Sequence, residues 1–268
     1  MARYIDRNPV PTGLPAQSFG RPRRSHHDVV VVGARCAGAA AARLLALAGH
    51  DVVMVDRSHP ARDTSSTHSL SRGGMVQLDR WGLLDDVVAT GAPEIRSVSF
   101  HHDGETVRHT IKDRAGVDFV IAPRRYVLDA LLADAAVAAG ARMITDTTVT
   151  GVLRDADGRV TGITARDADG TPRELTASLV IGADGVRSSL ARYVGAEVTE
   201  QHDPTGACFY TYVGGVDWDG IQLHVEDNAF AGVFPTHNGE ACVWLIRPVT
   251  DLAPVIGAGA DRAAAWLA

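Results

Sequence analysis

The chain has 268 residues, enough for a large core and two sub-domains, and its hydrophobic share of 46% is ordinary for a globular protein. A formal charge of −6 provides no basic surface, so we expect no nucleic-acid partner. The three cysteines lack any C-x-x-C or metal spacing and the eleven histidines lack H-x-x-x-H, which favours a reduced cytoplasmic setting and predicts no metal.

The first 27 residues are rich in Pro, Arg and Gly and lack the apolar run that a signal peptide needs. We therefore predict that residues 1–27 form a disordered tail. Nothing in the composition demands a membrane, and no membrane span is expected.

Residues 28–56 have the pattern of one βαβ unit. The β-branched run that ends at Gly33 predicts a strand buried on both faces of a parallel sheet. The Ala- and Leu-rich run 37–48 predicts a helix that stops at Gly49, a residue able to adopt the left-handed C-cap conformation. A second strand, 52–55, then ends at Asp56. Strand, helix and strand with short links make a right-handed crossover.

Hairpins and further strands follow this unit. Alternation of polar and apolar residues over 97–112 and 147–175 predicts antiparallel hairpins that turn at Asp103-Gly104, Asp157-Gly158 and Asp169-Gly170. The remaining predicted elements are helices over 75–84 and 125–139, strands over 178–182, 207–216, 221–225 and 241–246, and a helix that begins near Asp261.

The turn after the first strand carries a nucleotide-binding pattern. It keeps the first and third glycines of G-x-G-x-x-G, Gly33 and Gly38, whereas Arg35 replaces the glycine that lets a backbone approach a pyrophosphate. A guanidinium at this position could meet a phosphate directly. Asp56 stands where an acid accepts the ribose hydroxyls of an adenosine. A turn of this shape that binds nothing is the alternative.

The run Gly33-Ala-Arg-Cys-Ala-Gly-Ala39, with Asp56-Arg57, resembles the opening of the FAD-dependent monooxygenase family of the para-hydroxybenzoate hydroxylase type. Two later motifs support the resemblance. Arg125-Tyr-Val-Leu-Asp129 matches the family's R-x-x-L-D segment, and Gly182-Ala-Asp184-Gly185 is similar to its D-G motif. An arginine paired with solvent or with Asp129, and an ordinary Asp-Gly turn, are the alternatives.

The resemblance implies FAD as cofactor and NADH or NADPH as electron donor. It implies contacts to FAD from the glycine turn, the acid at the second strand, the R-x-x-L-D arginine, a strand backbone beside the adenine and the D-G motif, namely Gly33, Arg35, Cys36, Ala37, Gly38, Asp56, Arg57, Arg125, Val149, Asp184 and Gly185. For Cys36, a small packing residue is the simpler interpretation.

No catalytic side chain is expected, because the flavin itself supplies the chemistry. One candidate for a contact with flavin or substrate is His68, in the polar loop 65–74 that such proteins pass under the flavin. A structural or exposed histidine is the alternative.

We predict an α/β protein in which a Rossmann-like FAD-binding domain, a parallel sheet with a βαβ unit, is joined to an incomplete antiparallel β-sheet substrate domain. The first would comprise residues 28–90 and 118–198, the second residues 91–117 and 199–268. Aromatic residues of the later strands would form the substrate sheet, or simply its core: Phe209, Tyr210, Tyr212, Phe230, Phe234 and Trp244. The resemblance implies a third FAD segment after the substrate sheet, a Gly-Asp segment that contacts the ribityl and the pyrophosphate. No Gly-Asp dipeptide occurs in the 268 residues, so we expect the chain to be truncated at its C-terminus: a fragment of a longer coding sequence, a shortened protein that binds weakly, or one completed by another chain.

The resemblance implies an NAD(P)H-dependent monooxygenase that hydroxylates an aromatic or polyketide-like small molecule through a flavin C4a-hydroperoxide. A flavin reductase of the geranylgeranyl reductase type, which shares the glycine turn and the D-G region, is one alternative. A non-catalytic remnant that binds FAD or a partner without turnover is another. A halogenase is disfavoured because no W-x-W-x-I-P segment occurs.

Overall fold

Two six-stranded sheets form the framework of the chain, and the structure, a computed structural model, describes residues 26–62, 64, 69–215 and 217–252. In chain order the elements are β1 (His26–Val32), α1 (Cys36–Leu47), β2 (Val52–Val55), α2 (Arg72–Arg80), α3 (Leu84–Ala89), β3 (Ser97–His102), β4 (Glu105–Thr110), α4 (Arg125–Ala138), β5 (Arg142–Ile144), β6 (Thr147–Arg154), β7 (Val160–Asp167), β8 (Pro172–Gly182), α5 (Ser189–Val194), β9 (Gly206–Gly214), β10 (Ile221–Glu226), β11 (Ala229–Pro235) and β12 (Glu240–Pro248). The helix predicted near Asp261 lies outside the described residues.

The first sheet has the strand order β5-β2-β1-β8-β7-β6. Its first four strands are parallel, and β7 and β6 extend it as an antiparallel meander through the Asp-Gly turns predicted at 157–158 and 169–170. In the unit β1-α1-β2, α1 connects two neighbouring parallel strands, the type of connection that is right-handed in nearly all proteins. The predicted α/β class with a Rossmann-like domain is therefore confirmed.

The β-branched run of β1 is buried on both faces of this sheet. Val29 and Val31 pack in the core that includes residues of α1 and α4, and Val30 and Val32 pack in the core on the opposite face. A parallel strand covered on both faces is continuously apolar for this reason. Ligands of such sheets are therefore met at the carboxyl ends of the strands, where turns leave the covered region.

The second sheet has the order β4-β3-β10-β11-β12-β9, with the predicted hairpin at Asp103-Gly104 joining β3 to β4. All its pairs are antiparallel except β3 with β10, because those strands come from two separate stretches of the chain. A backbone bridge between Ile95 and Val120 lies at the border of the two sheets, and both side chains pack in the core of the second. The predicted antiparallel sheet is therefore present, with one parallel pair.

Three predicted boundaries are wrong in the first half of the chain. His26 and His27 belong to β1 rather than to a tail, because β8 is long enough to pair with both of them. The helix predicted over 75–84 is two helices, since Gly82 adopts a left-handed conformation (φ +68°) that interrupts α2 and α3. Residues 72–74, expected in a polar loop, form the first turn of α2.

Two strands of the later part also differ from prediction. Residues 172–182 are one strand, β8, which pairs with β7 from Pro172 to Thr176 and with β1 from Thr176 to Gly182. The sequence predicts Phe230 and Phe234 in the sheet but gives no bounds for their strand, which is β11. Its centre is Gly232, where a Cβ would lie 2.3 Å from the Trp244 ring. Glycine weakens a strand, but at position 232 it leaves room for the Trp244 ring of the neighbouring strand.

Candidate cofactor-binding site

The carboxyl ends of β1, β2 and β8 meet at one edge of the first sheet. Gly33 N donates to Val55 O at 2.8 Å, and Ala183 N donates to Val32 O at 2.7 Å. The glycine turn, the acidic end of β2 and the segment that contains the D-G motif are therefore neighbours. Parallel pairing brings them together, because parallel strands end at the same edge.

The two glycines of the turn are required by close backbone packing. Gly33 has φ +100°, and a Cβ there would lie 2.3 Å from Ala183 O. A Cβ on Gly38 would lie 1.8 Å from Gly33 O and 3.2 Å from the Ala183 Cβ. Arg35, by contrast, has φ −87° and precedes α1 as its N-cap residue, so its backbone does not need glycine.

Asp56 faces the glycine turn from the end of β2. Its Oδ2 accepts a hydrogen bond from Ala34 N at 2.8 Å, and its Oδ1 accepts one from Ser58 N at 3.0 Å. A carboxylate offers about four acceptor positions, so it retains capacity for the hydroxyls of a ribose. Arg57, the next residue, is exposed.

Three side chains from the starts of α1 and α4 meet around one buried carboxylate, that of Asp129, which has no exposed surface. Arg125 donates from Nε and Nη2 to its Oδ1 at 3.1 and 3.0 Å, and from Nη2 to its Oδ2 at 3.0 Å. Arg35 Nη1 lies 4.0 Å from Oδ2, and Cys36 Sγ donates to Oδ1 at 3.0 Å. We call these four residues the Asp129 cluster.

The thiol of Cys36 is held in its protonated form. Burial raises the pKa of Cys36 to about 12, with a further contribution from the hydrogen bond and the negative charge of Asp129. This fits the packing interpretation of Cys36 and gives it a hydrogen-bond partner that the sequence did not indicate. The spacing i, i+4 between Arg125 and Asp129 was the one available signal for the pair.

The acidic side chain of the D-G motif accepts hydrogen bonds from residues at the start of α5. Asp184 accepts hydrogen bonds from Ser188 Oγ at 2.6 Å, Ser189 N at 2.7 Å and Leu190 N at 3.1 Å. Burial alone would raise the pKa of Asp184, but these hydrogen bonds hold it below its usual value. Gly185 follows with φ +85°. The Asp184 carboxylate thus supports a helix, and a contact of this motif with FAD stays a prediction.

Val149 lies on the face of the first sheet opposite α1. Its side chain packs in one cluster with Val32 and Val55, and its carbonyl oxygen accepts a hydrogen bond from Tyr193 Oη at 3.4 Å. This position is beside the end of β2, because Thr147 N donates to Asp56 O at 3.0 Å. A backbone contact of Val149 with adenine stays a prediction.

A cleft of about 400 Å³ lies at the border of the two sheets. Residues 69–72 form one wall, and apolar residues of the second sheet and its border, including Val98, Val120 and Ile221, form another. Its size is within the range of small-molecule sites. His68 lies outside the described residues. Among those that are described, no three His, Cys, Asp or Glu side chains are grouped to hold a metal ion.

Aromatic side chains collect on one face of the second sheet. The strand register places Tyr210, Tyr212, Phe230, Phe234 and Trp244 on this face, and Phe209 on the other. Trp244 is the centre of the group, with edge-on contacts at ring-centre distances of 4.9 Å to Phe230 and 5.5 Å to Phe234. Five of the six predicted aromatic residues thus share one face. On it Phe234 and Trp244 belong to the core of the second sheet, while Tyr210 and Phe230 are exposed.

His237, in a 3₁₀ turn between β11 and β12, connects the second sheet to the helices of the first. Its Nδ1 accepts from Arg124 N at 3.2 Å, and its Nε2 lies 3.0 Å from Thr90 Oγ1, which itself donates to Val87 O at 2.6 Å. Burial, with the nearby charge of Arg124, lowers the pKa of His237. Both ring nitrogens therefore have defined roles when the imidazole is neutral.

The groups at the sheet edge suit a dinucleotide diphosphate. The first turn of α1 has no side-chain cap and no acidic residue, so its N–H groups suit an anion. The Asp129 cluster adds two guanidiniums against one carboxylate, and Asp56 offers acceptors for a ribose. Together with the parallel sheet, these features define a dinucleotide-binding α/β protein.

Comparison with known proteins narrows this class. The family model described as "FAD binding domain" matches residues 26–257, and the chain belongs to this family. Within the described residues, no helix is both long enough and apolar enough to cross a membrane.

Relatives resemble this chain in sequence, and solved structures resemble it in fold, over most of its length. A digeranylgeranylglycerophospholipid reductase of Methanosarcina mazei is 28% identical over 231 residues, which are 82% of this chain and 54% of that protein. PqsL of Pseudomonas aeruginosa, described as a probable FAD-dependent monooxygenase, has a TM-score of 0.73 and 22% identity over 85% of this chain and 62% of its own. A geranylgeranyl bacteriochlorophyll reductase-like protein of Thermoplasma acidophilum has a TM-score of 0.72 and 23% identity over 84% of this chain and 57% of its own. The chain thus spans about half the length of the curated relatives it matches.

Proposed function

We propose that this chain is the FAD-binding part of an NAD(P)H-dependent flavin monooxygenase that acts on an apolar small molecule. The observation that carries the proposal is the meeting of the glycine turn, Asp56 and the Asp129 cluster at one sheet edge. The family match to an FAD binding domain supports FAD as the ligand. The likeness in fold to PqsL supports the monooxygenase reading.

The proposed contacts to FAD follow from the chemistry of each group. The N–H groups at the start of α1, with Ala37 and Gly38, and the guanidiniums of Arg35 and Arg125 would hold the diphosphate. Asp56 would accept the adenosine ribose hydroxyls. The remaining contacts to FAD are proposed from the family resemblance of the sequence motifs. They involve Gly33, Cys36, Arg57, Val149, Asp184 and Gly185.

When bound, FAD supplies hydride transfer and oxygen chemistry, so the chain needs no acid–base pair of its own. Its task is to position the ring system and to keep water from it. The apolar wall of the border cleft would serve the second purpose, since Val98, Val120 and Ile221 offer no hydrogen-bonding side chain. On the aromatic face of the second sheet, the exposed rings of Tyr210 and Phe230 are suited to contact an apolar substrate, whereas Phe234 and Trp244 are buried in the core of the sheet.

A second candidate is a flavin-dependent reductase of an apolar double bond. The specific observation in its favour is the 28% identity to a digeranylgeranylglycerophospholipid reductase over 82% of this chain. In that case the same cofactor contacts apply, and the difference lies in the acceptor of the electrons. Oxygen is consumed by a monooxygenase and is not needed by a reductase.

Two measurements test these proposals on the purified chain. Addition of FAD at about a hundredfold over its Kd should stabilise the fold by roughly 2.7 kcal/mol, a rise in Tm of about 5–11 °C. No rise in Tm and no bound flavin absorbance would refute FAD binding and leave a non-catalytic remnant. NAD(P)H consumption with the FAD-loaded chain is then compared with and without oxygen. Dependence on oxygen supports the monooxygenase, and consumption without oxygen in the presence of a prenyl acceptor supports the reductase.

A further inference from the structure

Asp129 is the shared partner of three groups at the candidate cofactor site. Its carboxylate has no exposed surface, whereas the side chains of Arg125 and Arg35 are 21% and 31% exposed. The anion therefore lies inside the protein and the two cations extend from it towards the surface. A buried carboxylate is retained only when such partners neutralise it.

We propose that Asp129 is a positioning residue that holds the guanidiniums of Arg35 and Arg125 side by side for the diphosphate of FAD, and that Arg35 thereby replaces the close backbone approach of the absent glycine. This inference rests on the proposed FAD binding. Asp129 itself touches no cofactor in it; the residue acts through the two arginines.

The charges of the cluster favour a dianion. Two guanidiniums face one carboxylate, which leaves one positive charge uncompensated within the cluster. The N-terminal ends of α1 and α4 adjoin there, because Cys36 begins α1 and bonds to Asp129 in the second turn of α4. Neither helix has an acidic residue in its first turn, so both helix dipoles add to the positive field.

The geometry explains why one carboxylate holds both arginines. Arg125 occupies both oxygens of Asp129 in a fork, which fixes the plane of its guanidinium. Arg35 reaches the same Oδ2 from the glycine turn, at 4.0 Å. Removal of the carboxylate therefore releases both cations, and it leaves two like charges to repel each other.

The first test measures FAD affinity by quenching of flavin fluorescence in wild type, R35A, D129N and the double variant. Each single variant should weaken binding about tenfold to a hundredfold, the loss expected for one charge-assisted hydrogen bond. The double variant should lose less than the product of the two single losses, because Arg35 depends on Asp129 for its position. R80A, which removes an exposed arginine at the end of α2, is the matched control and should bind as wild type does.

The second test reads the cluster through Cys36 and needs no FAD. Alkylation by iodoacetamide is followed from pH 7 to pH 10 with peptide mapping, so that the exposed Cys208 of the same molecule is the internal reference. Cys36 should react far more slowly than Cys208 in wild type, because its thiol rarely ionises. In D129N the rate at Cys36 should rise about tenfold as the neighbouring negative charge is lost.

The outcomes separate this inference from the proposed function. If wild type binds no FAD, the proposed function fails, and the proposal fails with it. The proposal alone is overturned if wild type binds FAD and both R35A and D129N bind it as tightly as wild type does. It is also overturned if the loss of affinity in the double variant equals the product of the two single losses. An unchanged Cys36 profile in a D129N protein that melts as wild type does would also overturn it, since the carboxylate would then not act on its neighbours.

Discussion

Replacement of His237 tests whether the two sheets are held together by the hydrogen bonds at their border. The imidazole is 4% exposed and joins Arg124 N to Thr90 Oγ1. In H237A, the Arg124 N–H loses its acceptor, which costs about 1–3 kcal/mol, and the truncated ring adds about 1 kcal/mol of lost packing. Thr90 keeps its bond to Val87 O. The expected total is about 2–4 kcal/mol, or a fall in Tm of about 5–15 °C.

The assay is thermal unfolding followed by circular dichroism, with two comparison variants. In H237N, an amide oxygen lies near the position of Nδ1 and can accept from Arg124 N, so about 1 kcal/mol of the loss should be recovered. H50A removes a half-exposed imidazole from the other end of the first sheet and should change Tm by less than about 1 °C. A Tm of H237A within 1 °C of wild type would show that the border does not depend on this side chain.

The same histidine predicts a dependence on pH. Burial and the charge of Arg124 lower the pKa of His237 from 6.5, so the folded protein favours the neutral ring. The stabilisation is fully present above the unfolded pKa and is lost as the pH falls from about 6.5 through the lower folded pKa. The pKa of His27 is also lowered, so His27 adds to the loss of stability at low pH, but it does so equally in wild type and H237A. The gap in Tm between wild type and H237A should therefore narrow between pH 7 and pH 5; an unchanged gap would contradict this account.

Three further substitutions test the packing of the site and of the second sheet. G38A forces a Cβ to within 1.8 Å of Gly33 O and should cost roughly 1–3 kcal/mol or more in urea unfolding, whereas G73A, at an open helical position, should be neutral or slightly stabilising. D184A removes the acceptor at the start of α5 and should lower the free energy of unfolding by about 0.5–2 kcal/mol at pH 7. Because the pKa of Asp184 is lowered in the folded protein, this loss should shrink as the pH falls below 4. A loss that does not change with pH would contradict the stabilising role of the carboxylate. G232V places a side chain 2.3 Å from the Trp244 ring, so it should lower Tm and shift tryptophan fluorescence; an unshifted spectrum would contradict the packing described.

The sequence predicted best those elements that depend on local information. The unit β1-α1-β2 follows from a β-branched run, a helical spacing and a glycine stop, and the structure has all three within one or two residues of prediction. The hairpin turns follow from Asp-Gly pairs: Asp103 adopts a left-handed conformation (φ +49°) that its residue type tolerates. Such signals act over a few residues and need no tertiary context.

What the sequence could not supply is contact between distant segments. Asp129 appeared only as a possible partner of Arg125, because nothing local indicates that Arg35 and Cys36, over ninety residues earlier, reach the same carboxylate. Asp184 was assigned through the resemblance to a cofactor motif, while its visible bonds go to the first turn of α5. In both cases the carboxylate is recognisable as important, but its partner is decided by how the helices pack on the sheet.

The glycine turn shows that the glycines of a nucleotide-binding motif answer to different requirements. Gly33 needs its positive φ and Gly38 needs room against the Gly33 carbonyl, so a side chain at either position would disturb the fold itself. Arg35 has an extended backbone that any residue can adopt, and the motif's middle glycine is therefore a requirement of the ligand rather than of the chain. Its replacement leaves the turn intact and, in the role proposed for Arg35 above, exchanges backbone approach for a guanidinium paired with Asp129. A site changed in this way should bind its diphosphate more through charge, and its affinity for FAD should consequently fall more steeply with salt in wild type than in R35A.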